Sequence, residues 1–309
     1  MRCIKCQEKA VIELRRHNSA FCRDHYLEFF RDQVAHSIRR HRMFTHEDRL
    51  LLAVSGGKDS LALWDVLLAQ GYRAAGLHVD LGIGDYSKRS RRTTEAFAQE
   101  RGTELIVVEL EAEYGMGVPQ LSRALRRAPC SGCGLSKRYI FNRVAREQGF
   151  DVLVTGHNLD DESATLTGNV LHWQLGYLAR QSPVLESTHP RLVKKVKPLY
   201  TLAERETASY AFLRGIEFVE EECPYAKGAS SILYKEALNH IEAESPGSKQ
   251  QFVDGFLQRM RPLMQREETV ELRECARCGE PTTAEVCAFC RTWERALKHP
   301  DTKAGQRPA

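Results

Sequence analysis

A chain of 309 residues with 42% apolar side chains can bury a sizeable core, and its length allows one large domain with appendages or two domains. The formal charge of +4 counts every cysteine as a neutral thiol; with all ten as metal-bound thiolates it falls by ten, so local basic clusters say more about partners than the net charge does. No stretch approaches the roughly 20 uninterrupted apolar residues that span a bilayer, and Met1-Arg2-Cys3-Ile4-Lys5-Cys6 is no apolar leader, so a cytoplasmic protein without membrane contact is expected.

In chain order, the first feature is Cys3-x-x-Cys6, then fifteen residues, then Cys22-x-x-His25. Two chelating pairs of sulfur and nitrogen ligands are tetrahedral zinc spacing, and a reducing cytosol disfavours the disulfide alternative. A helix over 26–44 follows, with Phe29, Phe30, Val34 and Ile38 on one face and Arg39, Arg40 and Arg42 near its end. Those arginines suit either a solvated helix end or an RNA contact.

Leu50-Leu51-Leu52-Ala53-Val54 is a strand-length apolar run that ends in Ser55-Gly56-Gly57-Lys58-Asp59-Ser60, after which Leu61, Leu63, Trp64, Leu67 and Leu68 recur at helical spacing. Strand, glycine turn and helix let several backbone N–H groups converge on one anion at the positive end of the helix, so the expected ligand is phosphate. The contiguous glycines followed by Lys-Asp-Ser match neither the Gly-Lys-Ser/Thr phosphate loop nor the dinucleotide Gly-x-Gly-x-x-Gly fingerprint.

A second strand, 74–79, carries His78 and Val79 at its end, and a third spans 105–108. Strands alternating with helices make the sheet parallel, and the carboxyl ends of its strands line the ligand crevice. Cys130-Ser131-Gly132-Cys133 stands immediately before an amphipathic helix, where a thiolate is favoured, and Lys137 lies one turn further on. A lone Cys-x-x-Cys is ambiguous among a redox pair, half a zinc site and part of a cluster.

A fourth strand, 152–155, runs into Gly156-His157-Asn158-Leu159-Asp160-Asp161-Glu162, whose Asn158 or Asp160 would cap the next helix and whose carboxylates would hold a nucleotide or Mg²⁺. Residues 194–199 alternate like an edge or short strand, Thr201 with Glu204 resembles a capping box, and 217–219 reads as a last short strand before Cys223. Residues 230–265 read as two helices divided near Pro246-Gly247. Cys275-x-x-Cys278, eight residues and Cys287-x-x-Cys290 form a second zinc pattern, which leaves Cys130, Cys133 and Cys223 unassigned.

Together, the hexapeptide at 55–60, the cysteines at 130, 133 and 223, the Gly-His-Asn-Leu-Asp-Asp-Glu run at 156–162 and the two terminal cysteine sets resemble the PP-loop tRNA 2-thiolation enzymes over nearly the whole chain to about residue 295. The resemblance implies an α/β fold, a doubly wound parallel sheet of PP-loop ATP pyrophosphatase type with N- and C-terminal zinc-finger modules. The expected divisions are a zinc finger over 1–27, a connecting helix over 28–48, the catalytic domain over 49–222, a helical segment over 223–270, a second zinc finger over 271–293 and a disordered tail over 294–309.

The implied reaction adenylates the C2 carbonyl oxygen of a tRNA uridine, in the bacterial type the 5-methyluridine at position 54, and replaces it with sulfur. ATP and Mg²⁺ would lie on Ala53, Val54, Ser55, Gly56, Gly57, Lys58, Asp59, Ser60, His78, Val79, Lys137, Gly156 and Asp161, with Asp59, Lys137 and Asp161 in catalysis. Cys130, Cys133 and Cys223 would hold a 4Fe-4S cluster with one open iron, two Zn²⁺ would fill the terminal sets, and the sulfur would come from a ubiquitin-like protein bearing a thiocarboxylate. A homodimer is also implied. The alternatives are thiolation of wobble uridine 34 or cytidine 32, a PP-loop synthetase or amidotransferase, a zinc-ribbon RNA-binding protein without activity, and, for sulfur transfer, a persulfide carried by one of the three cysteines.

Overall fold

The computed structural model describes residues 1–226, 228–264 and 271–298. Near the N-terminus, β1 (Ile12–Leu14) and β2 (Ser19–Phe21) pair antiparallel around a turn at Arg15–His17, and α1 (Arg23–Arg40) starts in the first cysteine set, with Cys22 as its N-cap. The expected helix thus begins three residues early and ends four early.

The central run is β3 (Arg49–Ala53), α2 (Lys58–Ala69), β4 (Arg73–Asp80), α3 (Gly84–Arg101) and β5 (Leu105–Glu109). Next come α4 (Leu110–Tyr114), α5 (Val118–Leu125), α6 (Pro129–Glu147), β6 (Val152–Thr155), α7 (Leu159–Leu171), α8 (Leu175–Arg180), β7 (Val184–Leu185), β8 (Lys194–Val196) and α9 (Glu204–Arg214). The last elements are α10 (Ser230–Glu244), α11 (Ser248–Gly255), a π-turn at Phe256–Met260, α12 (Arg261–Met264), β9 (Arg273–Glu274), β10 (Pro281–Thr282) and α13 (Ala288–Lys298).

The main sheet has the order β5-β4-β3-β6-β8-β7, parallel except for β7. From β3 the chain first builds outward through β4 and β5, then returns to the other side of β3 with β6. Strand order therefore reverses beside β3, the place where doubly wound sheets open a ligand crevice. Alternation along β3 divides the interior: Leu50 and Leu52 join Trp64, Phe97 and Tyr210 on one face, while Leu51 joins Ile140, Val144, Phe289 and Trp293 on the other. Because both faces are covered, the strand is continuously apolar.

Several expectations are corrected here. No strand forms at 217–219; the Val219 N–H donates to Gly56 O (2.9 Å), so the segment braces the glycine turn rather than extending a sheet. Residues 194–196 form the short strand β8, which lies inside the sheet between β6 and β7 rather than at an edge. The α9 cap is Ala203, two residues beyond Thr201, because the helix starts at Glu204; the Ala203 N–H donates to Glu206 Oε2 (2.9 Å), so Glu206 takes the place expected of Glu204. α13 continues to Lys298 with Trp293 and Ala296 buried, so a tail cannot begin at 294; its remainder, 299–309, lies outside the described residues. Helices occupy 230–264, divided at 245–247 as expected, after a non-helical stretch that carries Cys223.

Candidate active site and metal centres

The turn between β3 and α2 is a tight loop with its glycines at the tip. Gly56 has φ +75°, and a Cβ there would sit 2.7 Å from Ser90 O, so only glycine fits. The Ser60 hydroxyl closes the loop, donating to Gly57 O (3.0 Å) and accepting from the Ser55 N–H (3.2 Å). Gly156, at the end of β6, lets the backbone pass close by: a Cβ there would lie 3.1 Å from Ser60 N. The first-turn N–H groups of α2 thus face the crevice without intrahelical partners.

This loop forms one end of a cavity of about 800 Å³. Of the expected nucleotide residues, Ala53, Val54, Ser55, Asp59, Ser60, His78, Val79, Lys137, Gly156 and Asp161 line it, and so do Cys130, Cys133 and Cys223. Gly56, Gly57 and Lys58 do not; the glycines form the turn, and Lys58 reaches away to Glu204 (2.6 Å). His78 is buried, its Nδ1 donates to Val54 O (3.1 Å), and burial pushes its pKa down, so the imidazole is neutral with Nε2 left as an acceptor. Nε2 has no partner among the described residues.

A closed polar ring that the sequence pattern does not signal stands beside the loop. Asn158 Nδ2 donates to Asp59 Oδ1 (3.1 Å), and Asn158 caps α7 by exchanging hydrogen bonds with Asp161. Asp161 pairs with Lys235 (2.6 Å), Lys235 with Glu204 (3.1 Å), and Glu204 with Lys58, which lies 3.2 Å from Asp59. Burial pushes the Asp59 carboxyl up, Lys58 opposes this, and the Asp161 and Glu204 carboxylates add to the rise. Asp59 is therefore not freely solvated; its side chain is 24% exposed and its charge is costly until a cation arrives. Nothing in the spacing of Lys235 or Glu204 points to this role, because their partners are distant in sequence.

None of the ten cysteines is paired in a disulfide. Cys130 and Cys133 lie inside the first two turns of α6 rather than before it, and the Cys130 thiol donates to Tyr225 O (3.6 Å), which draws the loop bearing Cys223 over the cavity. Burial pushes the Cys133 thiol up and Lys137 only partly offsets it, so the expected ready thiolate does not form without a bound cation. Among the described residues, only the two terminal sets gather four ligand atoms within 4.8 Å of one another. The three cavity thiols are spread more widely, which suits a polynuclear centre better than a single ion.

At the termini the geometry is that of closed mononuclear sites. Cys6 Sγ lies 3.7 Å from Cys22 Sγ, and Cys278 Sγ lies 3.7 Å from Cys287 Sγ. A tetrahedron with Zn–S bonds of about 2.3 Å has an edge of about 3.8 Å. His25 Nδ1 completes the first set, 3.2 Å from Cys22 Sγ. Burial raises the Cys3 and Cys275 thiols, but backbone N–H groups outweigh it and bring each to about 6.

Each module is fastened to the core. Arg16 joins Glu206 (2.5 Å) and Phe30 stacks on Tyr210 (4.4 Å) on one side. On the other, Tyr139 of α6 stacks on Phe289 (3.7 Å), Trp293 Nε1 donates to Ser136 Oγ (3.1 Å), and Glu280 takes hydrogen bonds from Asn142 (2.7 Å) and Arg146 (2.8 Å). The helix that begins with two cavity cysteines thus carries the C-terminal module on its back. No helix among the described residues is long and apolar enough to cross a membrane.

Comparison with known proteins agrees with this architecture. Residues 26–227 match the PP-loop domain family, and residues 2–27 match the family described as 2-thiouridine synthetase TtuA, N-terminal LIM domain. The chain is 58% identical over 298 residues to the tRNA-5-methyluridine(54) 2-sulfurtransferase of Thermus thermophilus, covering 96% of this chain and 92% of that one. It is 40% identical to the protein of the same name from Pyrococcus horikoshii, covering 95% and 94%. Among solved structures it is similar to the U34-tRNA thiolase NcsA from Methanococcus maripaludis with its [4Fe-4S] cluster, with a TM-score of 0.82 at 26% identity over 95% of this chain and 96% of that one.

Proposed function

Because the chain belongs to the PP-loop family of tRNA-5-methyluridine(54) 2-sulfurtransferases, we propose that this enzyme thiolates C2 of the 5-methyluridine at tRNA position 54 by adenylating its O2 and displacing the adenylate with sulfur. The observation that carries the reading is that Ser55, Asp59 and Ser60 of the glycine turn and three otherwise unassigned cysteines line one cavity. ATP is held with its phosphates on the turn and on the first-turn N–H groups of α2. Its adenosine lies toward Ala53, Val54, His78 and Val79. The uridine O2 attacks the α-phosphorus, the α–β bond breaks, and pyrophosphate leaves with the bonding pair.

Lys137 has no carboxylate partner among the described residues and faces the cavity, so it is placed to counter charge that develops on the α-phosphoryl oxygens. Asp59 holds Mg²⁺, which would reverse the electrostatic cost of its buried charge. Asp161 fixes the loop geometry through Asn158 and Lys235. A 4Fe-4S cluster on Cys130, Cys133 and Cys223 would supply the sulfur from an iron that lacks a protein ligand. The donor is a ubiquitin-like carrier with a C-terminal thiocarboxylate, two Zn²⁺ fill the terminal sets, and the enzyme is a cytoplasmic homodimer.

The thiolase of similar fold named for U34 marks the second reading, but the 58% identity to the position-54 enzyme outweighs a 26% identity. Anaerobic incubation with ATP, sulfide and tRNA that lacks the 2-thio group, followed by nucleoside mass spectrometry, should yield 2-thio-5-methyluridine together with AMP. Sulfur at position 34 or 32, or ADP and orthophosphate as products, would overturn the proposal.

A further inference from the structure

Between Tyr114 and Glu147 the chain carries seven basic residues and no acidic one. Part of that charge is spent structurally: Arg143 pairs with Glu113, and Arg146 with Glu280. Arg123, Arg126 and Arg127, at the end of α5, are exposed and have no carboxylate within ion-pair distance among the described residues. The same holds for Arg291 and Arg295 on α13. Arg127, Arg291 and Arg295 meet across a cleft of about 300 Å³ between the two helices.

A smaller cavity shares Leu125, Arg127 and Thr292 with that cleft and is lined further in by Ser131 and Gly132. Those two residues separate Cys130 from Cys133 at the start of α6, so the cleft backs onto the helical turn whose two cysteines line the reaction cavity. The remaining lining is thin: Leu125, Ala288 and Thr292 offer no aromatic anchor of the kind that dominates protein–protein interfaces. Arg291 and Arg295 stand one turn apart on one helix face, about 6 Å between Cβ atoms, a spacing comparable with that of successive phosphates along a strand. Unpaired guanidiniums in such a row are suited to bidentate phosphate contacts.

We infer that the cleft between α5 and α13, with Arg127, Arg291 and Arg295 on its walls, is where the sugar-phosphate backbone of the tRNA substrate docks. This rests on the tRNA reading above. The C-terminal module thereby gains a second role, supplying half of an RNA-binding cleft that α6 holds in register with the cavity. Contacts of this kind position the RNA without reading its sequence.

The test uses the full-length holoenzyme carrying Arg127→Ala, Arg291→Ala and Arg295→Ala together, with Arg73→Ala, at the opposite ends of the strands, as control. Binding of unmodified tRNA, measured by fluorescence anisotropy between low and high salt, should weaken at least tenfold in the triple variant. The slope of log K against log salt should fall by about two to three, since each phosphate contact contributes about 0.7 to 0.9. Nucleotide binding and zinc content should match the wild type, which shows that the variant is folded. Unchanged tRNA affinity and salt slope would overturn the inference. So would normal tRNA binding with a selective loss of sulfur transfer from the carrier protein, which would make the cleft a protein docking surface. Failure of the wild type to thiolate position 54 would instead remove the underlying function.

Discussion

Replacing Glu280 by alanine should loosen the C-terminal module and, through α6, the cavity cysteines. Glu280 is 6% exposed and accepts from Asn142 Nδ2 (2.7 Å), Arg146 Nε (3.1 Å) and Arg146 Nη2 (2.8 Å). A hydrogen bond to a buried charge contributes about 1.5–3 kcal/mol, and here the lower end applies, because Asn142 keeps its bonds to Arg191 O (2.8 Å) and to the Val193 N–H (3.1 Å). The Arg146 side chain is 27% exposed, so solvent screening limits its share to about 1 kcal/mol. The sum is about 2–3 kcal/mol, a shift of roughly 1 M in urea midpoint for a slope near 3 kcal/mol/M. Urea unfolding followed by circular dichroism, with zinc release to a chromophoric chelator, measures both effects, and iron retention should fall with them. If Glu280→Ala unfolds at the wild-type midpoint and releases zinc no faster, the Phe289–Tyr139 stacking and the Trp293–Ser136 hydrogen bond suffice to hold the module and the reasoning fails.

Asp59→Asn should abolish turnover yet leave the unliganded protein as stable as the wild type or more so above neutral pH, because the carboxylate it removes is disfavoured by burial and by Asp161 and Glu204; a lowered thermal midpoint at pH 8 would contradict this. Cys130→Ala, Cys133→Ala and Cys223→Ala should each lose iron and thiolation together, and pairs should lose no more than singles; full activity of iron-free protein, or of any one variant, would restore the persulfide route. Burial works to raise the Glu206 carboxyl, but His17, Arg16 and the Ala203 N–H outweigh it and hold it below its ordinary 4.5. A carboxyl held down in this way stabilises the fold fully above about pH 4.5 and loses that contribution as the pH falls through the folded value. The stability gap between wild type and Glu206→Gln, from denaturant curves at several pH values, should therefore be constant near neutrality and close in acid; a gap that widens in acid would refute the assignment.

Local pattern carries much of this molecule. An apolar five-residue run, two glycines and a helical repeat specify β3, the turn and α2, because strand period, positive φ and helix period are all set within a few residues. Paired Cys-x-x-Cys/His spacing specifies the two terminal four-ligand clusters for the same reason, since each chelating pair closes within one turn of chain. Cysteine arithmetic singled out Cys130, Cys133 and Cys223, and all three line the cavity, although Cys130 and Cys133 lie within α6 and no strand directly precedes Cys223.

What tertiary structure decided involves partners far apart in sequence. Whether 217–219 becomes a strand depends on the Gly56 carbonyl, more than 160 residues away, which accepts from the Val219 N–H. The ring through Lys58, Glu204, Lys235 and Asp161 exists only because α2, α9, α10 and α7 converge, and burial at that convergence, with the Asp161 and Glu204 carboxylates adding to it, makes the Asp59 charge costly. The C-terminal zinc pattern is legible as a module, but its attachment to the back of the cysteine-bearing helix is not, since Glu280, Asn142 and Arg146 have no periodicity that relates them. Short-range geometry is fixed by covalent spacing and backbone sterics, whereas burial, ion pairing and pKa depend on which surfaces the packed sheet brings together.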